Sequence, residues 1–478
     1  MTETLETKTN VIRGLTLVAA ASIVVSSMVG QGVFLKTRVM TCNVETPAMV
    51  MAVWVVGGLL TLAGALTLAE LAAMMPKSGG IYVFLREAYG AKFGFLYGWM
   101  NFVIASVGGT VLGVAFAIFL NVVTGGAFAA EILAINLAGW RVSLSSAQVI
   151  AVTIIAVVML VNCAAVSFGG RVATFLTIFK IVLVAGIGAS AFVLADGDWA
   201  NFALSSASGA CEGVPQSTRG GFAGFGAAML GALLAYNGWQ AIVLLAGEVK
   251  NPQRNLPLAI IGGVLTVIAL YLFVNAAYFY VLTPDEIANV STNSSVATET
   301  AAKFLGLFAS KLMAAALLVS TLGTLQINNM MLSRSLFAMS RDGFFFRALG
   351  GVSEKTRVPV KAVVVQALWA MILVFFGSYD TLSDYYIFGL WIFYGLAGAS
   401  VFVLRRKMPG AERPYRTFGY PFVPIFFLIG TAWVLVNTLL TKPTQSIIGL
   451  VLIALGLPFY WYRQKRNYVE NPELSGIE

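Results

Sequence analysis

The chain has 478 residues, of which 59% are apolar and only 11% charged, against about 25% charged in an average soluble domain. A chain this long and this apolar has too little polar surface to face water on all sides, which excludes a soluble multidomain protein and makes the bilayer its solvent. The formal net charge of +9 would by itself suggest nucleic acid or another acidic partner. Its distribution argues against nucleic acid. Most Lys and Arg fall in alternate inter-helix segments: the N-terminal tail, Lys77 to Lys92, Lys250 to Arg254, Arg334 to Lys361, Arg405 to Arg416 and the C-terminal tail. This positive-inside bias predicts that both termini are cytoplasmic.

A helix crosses the hydrocarbon layer with about 20 apolar residues. Twelve stretches meet that requirement, near 13–36, 47–73, 95–123, 147–167, 171–195, 221–249, 257–282, 304–340, 359–377, 381–404, 420–440 and 444–463. The first run, from about Leu15, is too long for the apolar core of a cleavable leader and is expected to be retained as the first helix. Pro76-Lys77-Ser78-Gly79-Gly80 ends the second stretch and opens a short amphipathic segment through Tyr89. Long polar loops are expected on the outward side, from Asp196 to Arg219 and from Thr283 to Lys303. The predicted fold is an all-α integral membrane protein of twelve transmembrane helices, with residues 1–478 forming one polytopic domain.

Two stretches are interrupted at their centres by residues that weaken helix. The first reads Ser26-Ser27-Met28-Val29-Gly30-Gln31-Gly32-Val33-Phe34 and the sixth Leu234-Ala235-Tyr236-Asn237-Gly238-Trp239. An unsatisfied backbone group in hydrocarbon costs several kcal/mol, so an unwound turn at mid-membrane persists only where protein or a wet cavity surrounds it. Such a break offers free N–H groups to a carboxylate and free carbonyls to an ammonium, the two ends of an amino acid. Either Gly-rich turn alone reads equally well as a close-packing surface or a kink. Placed in corresponding halves of the chain, the pair favours a binding site between inverted repeats. A dinucleotide fingerprint is excluded, because Leu35 stands where its third glycine would be and no strand precedes it.

Lys180 lies nine positions past Arg171, about 13 Å along a helix and hence near mid-depth. An intramembrane lysine is a functional residue or a structural ion pair. Its ammonium can stand where a sodium ion would, linking the first break to hydroxyls of the eighth stretch such as Ser320 or Thr321; alternatively, it carries a proton. Glu70, Glu248 and Arg334 sit near cytoplasmic helix ends, where pairing or solvation is expected. Tyr236, Trp239 and Trp391 stand beside predicted pocket elements. Of the three cysteines, Cys42 and Cys211 fall in two outward loops, either joined in a disulfide or as separate thiols, and Cys163 lies within an apolar helix. The chain has no histidine, and no metal cluster or nucleophile–base pair can be named, so an enzyme and a metal or other cofactor are not expected.

At these residues the chain resembles the amino acid–polyamine–organocation superfamily, specifically the L-type amino acid transporter family and its bacterial members. The resemblance covers nearly the whole chain. It is carried by Gly30-Gln31-Gly32-Val33-Phe34, Pro76 to Gly80 with Glu87-Ala88-Tyr89-Gly90, Ala235 to Trp239, Asn251-Pro252-Gln253-Arg254-Asn255-Leu256-Pro257, Ser340-Arg341-Asp342-Gly343 and Glu412-Arg413-Pro414-Tyr415. It implies a LeuT-like five-plus-five inverted repeat, helices 1–5 over about 13–195 and 6–10 over about 221–404, followed by helices 11 and 12 over about 420–463. By the same resemblance, backbone amides of Gly30, Gln31 and Gly32 would hold the substrate carboxylate, and carbonyls of Met28, Leu234 and Asn237 its amino group. Lys180 matches the fifth-helix lysine of members that are typically sodium-independent. The chain departs from the pattern with Gln31 in place of a small serine and Leu234 in place of an aromatic gate. A neutral amide at Asn237 favours neutral side chains. The loop between the third and fourth stretches carries no cysteine, so no disulfide-linked heavy-chain subunit is expected.

The function implied is a sodium-independent exchanger of small neutral L-amino acids, working by alternating access in a bacterial inner membrane. A proton-coupled symporter using Lys180 and a cationic amino acid or polyamine carrier are the alternatives within the class. A non-transporting receptor would need an output domain, for which the short tails leave little room.

Overall fold

A computed structural model of the chain describes residues 14–76, 79–128, 131–137, 140–164, 169–205, 210–353, 356, 358–376 and 379–470. Lys77, Ser78, most of both tails and the Glu248 side chain lie outside what is described.

Local chemistry sets most helix starts. The Thr16 hydroxyl accepts from the Ala19 N–H and opens α1 (Leu17–Met28), and α2 (Gly32–Val44) follows after Val29, Gly30 and Gln31 at a bend of 42°. Thr46 caps α3 (Pro47–Met74), with Pro47 at the first helical position, where its missing N–H costs no bond. Gly79 and Gly80, both with positive φ, turn the chain into α4 (Ile81–Tyr89), then α5 (Ala91–Val103) and α6 (Ser106–Val123). Next comes an antiparallel hairpin, β1 (Glu131–Leu137) and β2 (Trp140–Ser145), paired from Leu137 with Trp140 back to Glu131 with Ser145. This two-stranded hairpin is a connection between α6 and α7 (Ser146–Ala164) in a chain whose other described elements are helices, consistent with the expected all-α membrane fold.

The chain continues through α8 (Gly169–Leu194), α9 (Gly221–Ala235) and the one-turn α10 (Ala241–Leu244). Pro252 opens α11 (Pro252–Val281), and a reciprocal capping box between Thr283 and Glu286 opens α12 (Pro284–Ala288). Helix α13 (Val296–Arg341) has a non-helical Gly306 and is two helices meeting there. The outward loop expected up to Lys303 is thus already helical from Val296. Helices α14 (Val360–Leu373), α15 (Tyr379–Lys407), α16 (Phe422–Thr441), α17 (Pro443–Ala454) and α18 (Gly456–Glu470) complete the chain.

Among the described residues eight helices are long and apolar enough to cross a membrane, or nine with the bent pair α1 and α2. Three shorter apolar helices, Ile178–Leu194, Gly221–Ala235 and Val360–Phe376, fall in the fifth, sixth and ninth predicted stretches. Large apolar side chains such as Val193, Phe422 and Leu440 stand exposed, as the surface of a membrane protein requires. The interior is built where α3 and α1 pack on α11 and where α2 packs on α9. Trp54, Tyr236 and Tyr271 cluster there, with ring centroids 5.1 to 5.7 Å apart.

Ion pairs close both ends of the bundle. At one end Lys36 pairs with Asp380, with Arg38 also beside it, and Lys442 pairs with Asp384. At the other the buried Glu70 accepts two bonds from Arg405 at 2.9 and 2.7 Å and two from Thr417 at 2.7 and 2.8 Å, with Arg413 at 3.4 Å. The expected structural pairing of Glu70 is thus with α15 and with the Glu412-to-Tyr415 motif. Tyr82 of α4 donates to Asp342 at 2.6 Å, tying the short amphipathic helix to the end of α13. Burial, and then the Asp342 carboxylate, push the Tyr82 phenol well above its ordinary pKa.

Candidate functional site

The two interruptions pack directly against each other. A Cβ on Gly32 would lie 2.6 Å from the Cα of Ala235, and one on Gly238 would lie 2.5 Å from the carbonyl oxygen of Ser27. Neither position has room for a side chain, and Gly238 has a φ of +114° besides. The crossing sets the start of α2 beside the end of α9. Gln31 O accepts from Phe34 and Leu35 at 3.2 and 3.1 Å, so the amides at the head of α2 have no carbonyl one turn earlier to bond. That end carries the positive pole of a helix of 13 residues and suits an anion.

The carbonyl ends are partly satisfied from the side. Tyr271 of α11 places its hydroxyl 2.8 Å from Met28 O and 3.0 Å from Ala235 O, so its single proton is within reach of the last carbonyls of both α1 and α9. Sequence reasoning did not pick out this residue. A tyrosine at the centre of an apolar helix needs a partner for its hydroxyl, and that was the available signal.

A small cavity opens at the crossing, lined among others by Met28, Gly30, Gln31, Gly32, Leu234 and Asn237. Six of the eight residues named from the sequence for substrate therefore share one cavity. Tyr236 and Trp391 are not in its lining. Tyr236 turns away to donate to Trp54 O at 3.1 Å, and Trp391 packs against Tyr394 and Phe427, with centroids 6.0 and 5.8 Å away. The Asn237 amide is held between two tyrosines of α15: its Nδ2 donates to Tyr386 at 2.7 Å and its Oδ1 accepts from Tyr394 at 2.9 Å. Tyr386, with Thr324 and Asn328 of α13, lines the same cavity, and none of the three was named from the sequence. The Asn328-Asn329 pair inside an apolar helix was a legible signal for a polar site.

Lys180 is fully buried. Its ammonium donates to Thr324 Oγ1 at 2.6 Å and to Ser26 O at 3.1 Å, with Ser26 Oγ at 3.4 Å, and so bridges α8 to the end of α1 and to α13. The hydroxyl expected from Ser320 or Thr321 comes instead from Thr324, one helical turn beyond Ser320. Thr324 in turn donates to Ser320 O at 3.2 Å. Among the described residues no carboxylate pairs with Lys180, and no cluster of His, Cys, Asp or Glu could hold a metal ion.

Cys42, in α2, and Cys211 are bonded to each other, their Cα atoms 5.6 Å apart across 169 residues of sequence. Around this bond Arg38 donates to Glu212 O at 2.9 Å, Arg219 to Cys211 O at 3.1 Å, and Gly220 N to Asn43 O at 2.7 Å.

Known proteins resemble this chain along nearly its whole length. The family model for amino acid permeases matches residues 15–458. The chain is 34% identical over 454 residues to the serine/threonine exchanger SteT of Bacillus subtilis (strain 168), covering 94% of this chain and 97% of that protein. It is 29% identical over 456 residues to the b(0,+)-type amino acid transporter 1 of Homo sapiens, covering 95% and 88%. To the cystine/glutamate transporter of Homo sapiens it is 28% identical over 463 residues, covering 95% and 86%.

Proposed function

Because this chain belongs to the amino acid permease family, we propose that it is a sodium-independent exchanger of small neutral L-amino acids that works by alternating access. Its relatives are amino acid exchangers and transporters, not enzymes, and the chain itself is a multi-pass membrane protein. The finer reading counts twelve transmembrane helices, with α1 and α2 as the broken first span and α9 and α10 as the broken sixth. Both belong to a five-plus-five inverted repeat. The Lys36–Asp380 end then faces outward and the Glu70 end the cytoplasm, in a bacterial inner membrane with both termini inside. The chain works without a disulfide-linked heavy chain.

The observation that carries this reading is the crossing of the two breaks. It sets the free amides at the head of α2 and the carbonyls of α1 and α9 around one cavity, a donor end for a carboxylate and an acceptor end for an ammonium. Lys180 supports sodium independence, because its ammonium already supplies a positive charge between Ser26 O and Thr324 Oγ1, joining the helices a bound cation would join. The neutral Asn237 amide, rather than an acid, beside the cavity supports a neutral substrate.

The test is uptake of a labelled amino acid panel into proteoliposomes, with and without unlabelled amino acid inside, at equal and unequal pH. Uptake that requires internal substrate and ignores sodium and the pH gradient is the expected result. Uptake into empty vesicles driven by an inward proton gradient would replace exchange by symport, with Lys180 as proton carrier.

A further inference from the structure

One end of the central cavity has its own hydrogen-bonding direction. Tyr394 spends its single proton on Asn237 Oδ1 at 2.9 Å, and Asn237 spends an amide proton on the Tyr386 oxygen at 2.7 Å. A phenol carries one donor and accepts besides, so Tyr386 keeps its own proton for another acceptor, and Tyr386 lines the cavity. Beside it stands Asn328, whose amide also hydrogen-bonds to the Tyr386 oxygen, while its Oδ1 is shielded from solvent and accepts no hydrogen bond. The space beside them exists because position 108 is glycine. A Cβ there would lie 3.1 Å from the Tyr386 oxygen and 3.3 Å from Asn328 Nδ2. Ser27 Oγ, buried and also unpartnered, lines the same cavity. Buried polar atoms without partners are rare in folded proteins, and a ligand is one way to satisfy them.

We propose that Tyr386 and Asn328 are the residues that read the substrate side chain, and that they select a hydroxyl. This rests on the reading above, in which the α-carboxylate sits at the head of α2. The side-chain oxygen accepts from Tyr386, and its proton goes to Asn328 Oδ1. A methyl group can do neither. A carboxylate can accept but has no proton for Asn328, and an ammonium can donate but cannot accept from Tyr386. The space left beside Gly108 is small and suits a short side chain, so serine and threonine fit. Asn237 acts through Tyr386 and is a positioning residue: it holds the phenol oxygen so that the O–H faces the cavity.

The experiment compares threonine with valine, which has nearly the same shape and lacks only the hydroxyl, as competitors of labelled substrate on the purified full-length chain in proteoliposomes. The wild type should prefer threonine by at least about tenfold, because a site built around a hydroxyl leaves its own polar groups unpaired with the analogue. Tyr386→Phe and Asn328→Leu should each bring that ratio close to one through loss of threonine affinity. Asn237→Ala should lower it too, and Asn237→Gln should restore part of it. A wild type that binds neutral amino acids but does not separate threonine from valine overturns this proposal alone. So does a Tyr386→Phe or Asn328→Leu variant that competes normally and keeps the wild-type ratio. A wild type that binds no neutral amino acid overturns both this proposal and the function it rests on.

Discussion

Gly32 and Ala235 touch through their backbones, with no space between α2 and α9 for even a methyl group. The neighbouring Gly30 is different: the nearest atoms to a Cβ there are those of Thr324, at 3.7 Å and beyond, on the cavity side. The two glycines should therefore fail differently. Gly32→Ala forces two helices apart and should cost about 1–3 kcal/mol of stability along with binding. Gly30→Leu should fill the cavity and abolish substrate binding while the melting temperature stays within a few degrees of wild type. Thermal unfolding by intrinsic fluorescence, run beside a competition binding assay, separates the two outcomes. Retained affinity in Gly30→Leu would remove Gly30 from the substrate site.

Lys180 holds three elements with one ammonium, through Ser26 of α1 and Thr324 of α13. If α1 moves during transport, this contact must break or travel with it. Lys180→Ala should slow exchange at least tenfold while changing substrate affinity much less, and the two rates can be read from the same vesicles. Thr324→Val removes one acceptor of the same ammonium. Its effect on rate should overlap that of Lys180→Ala rather than add to it, since residues sharing one network couple. Full additivity would mean that the hydrogen bond at 2.6 Å does not contribute to the transport step.

What could be read from the sequence follows from how local each feature is. The interruptions at Gly30 to Gly32 and at Gly238 were legible because glycine weakens helix wherever it stands, and Lys180 was legible because depth follows from counting residues past Arg171. Its hydroxyl partner, Thr324, belongs to the expected eighth stretch but stands one turn beyond Ser320. Which face of α13 meets α8 depends on helix rotation, which Ser320, Thr321 and Thr324 do not encode by themselves. Tyr236 shows the same limit. It follows the cavity-lining Leu234 by two residues, about 200° around a helix, and so points to Trp54 instead. The use of the Asn237 amide by Tyr386 and Tyr394 is a tertiary fact with no local trace. The hairpin is a different case: Trp140, Val142 and Leu144 alternate with Arg141, Ser143 and Ser145, a strand signal that the surrounding apolar helices hid.

The two partners of the Lys36–Asp380 ion pair should respond unequally to neutralisation. Lys36 is almost completely buried, with side-chain exposure of 3%, whereas Asp380 is at 35% and also lies 3.9 Å from Arg38. Asp380→Ala leaves the Lys36 ammonium buried without a counter-charge, beside the Ser383 hydroxyl at 2.7 Å and the Tyr379 ring at 4.9 Å, and should cost up to about 3–5 kcal/mol. Lys36→Met leaves Asp380 partly hydrated and next to a second cation, and should cost clearly less. Melting temperatures of the two single variants and the double variant decide the order. An equal loss in both singles would mean that the buried charge is compensated elsewhere.

Cys42 and Cys211 fasten the C-terminal half of α2 to the segment that leads into α9, and hydrogen bonds from Arg38, Arg219 and Gly220 reinforce the junction. At their other ends the same two helices meet at Gly32 and Ala235. With both ends joined, α2 and α9 should travel as one body in any movement that opens the cavity. The three cysteines make this testable: under denaturing conditions without reductant a maleimide mass tag should label Cys163 alone, and after reduction all three. Cys42→Ser with Cys211→Ser should lower thermal stability by about 2–4 kcal/mol, since the closed loop is long. It should also slow exchange, because α2 could then part from α9 at its C-terminal end without carrying it along. Three tagged thiols before reduction would show that the bond does not form in the membrane-derived protein. An unchanged exchange rate in the double serine variant would show that the contact of Gly32 with Ala235 is enough to keep the two helices together.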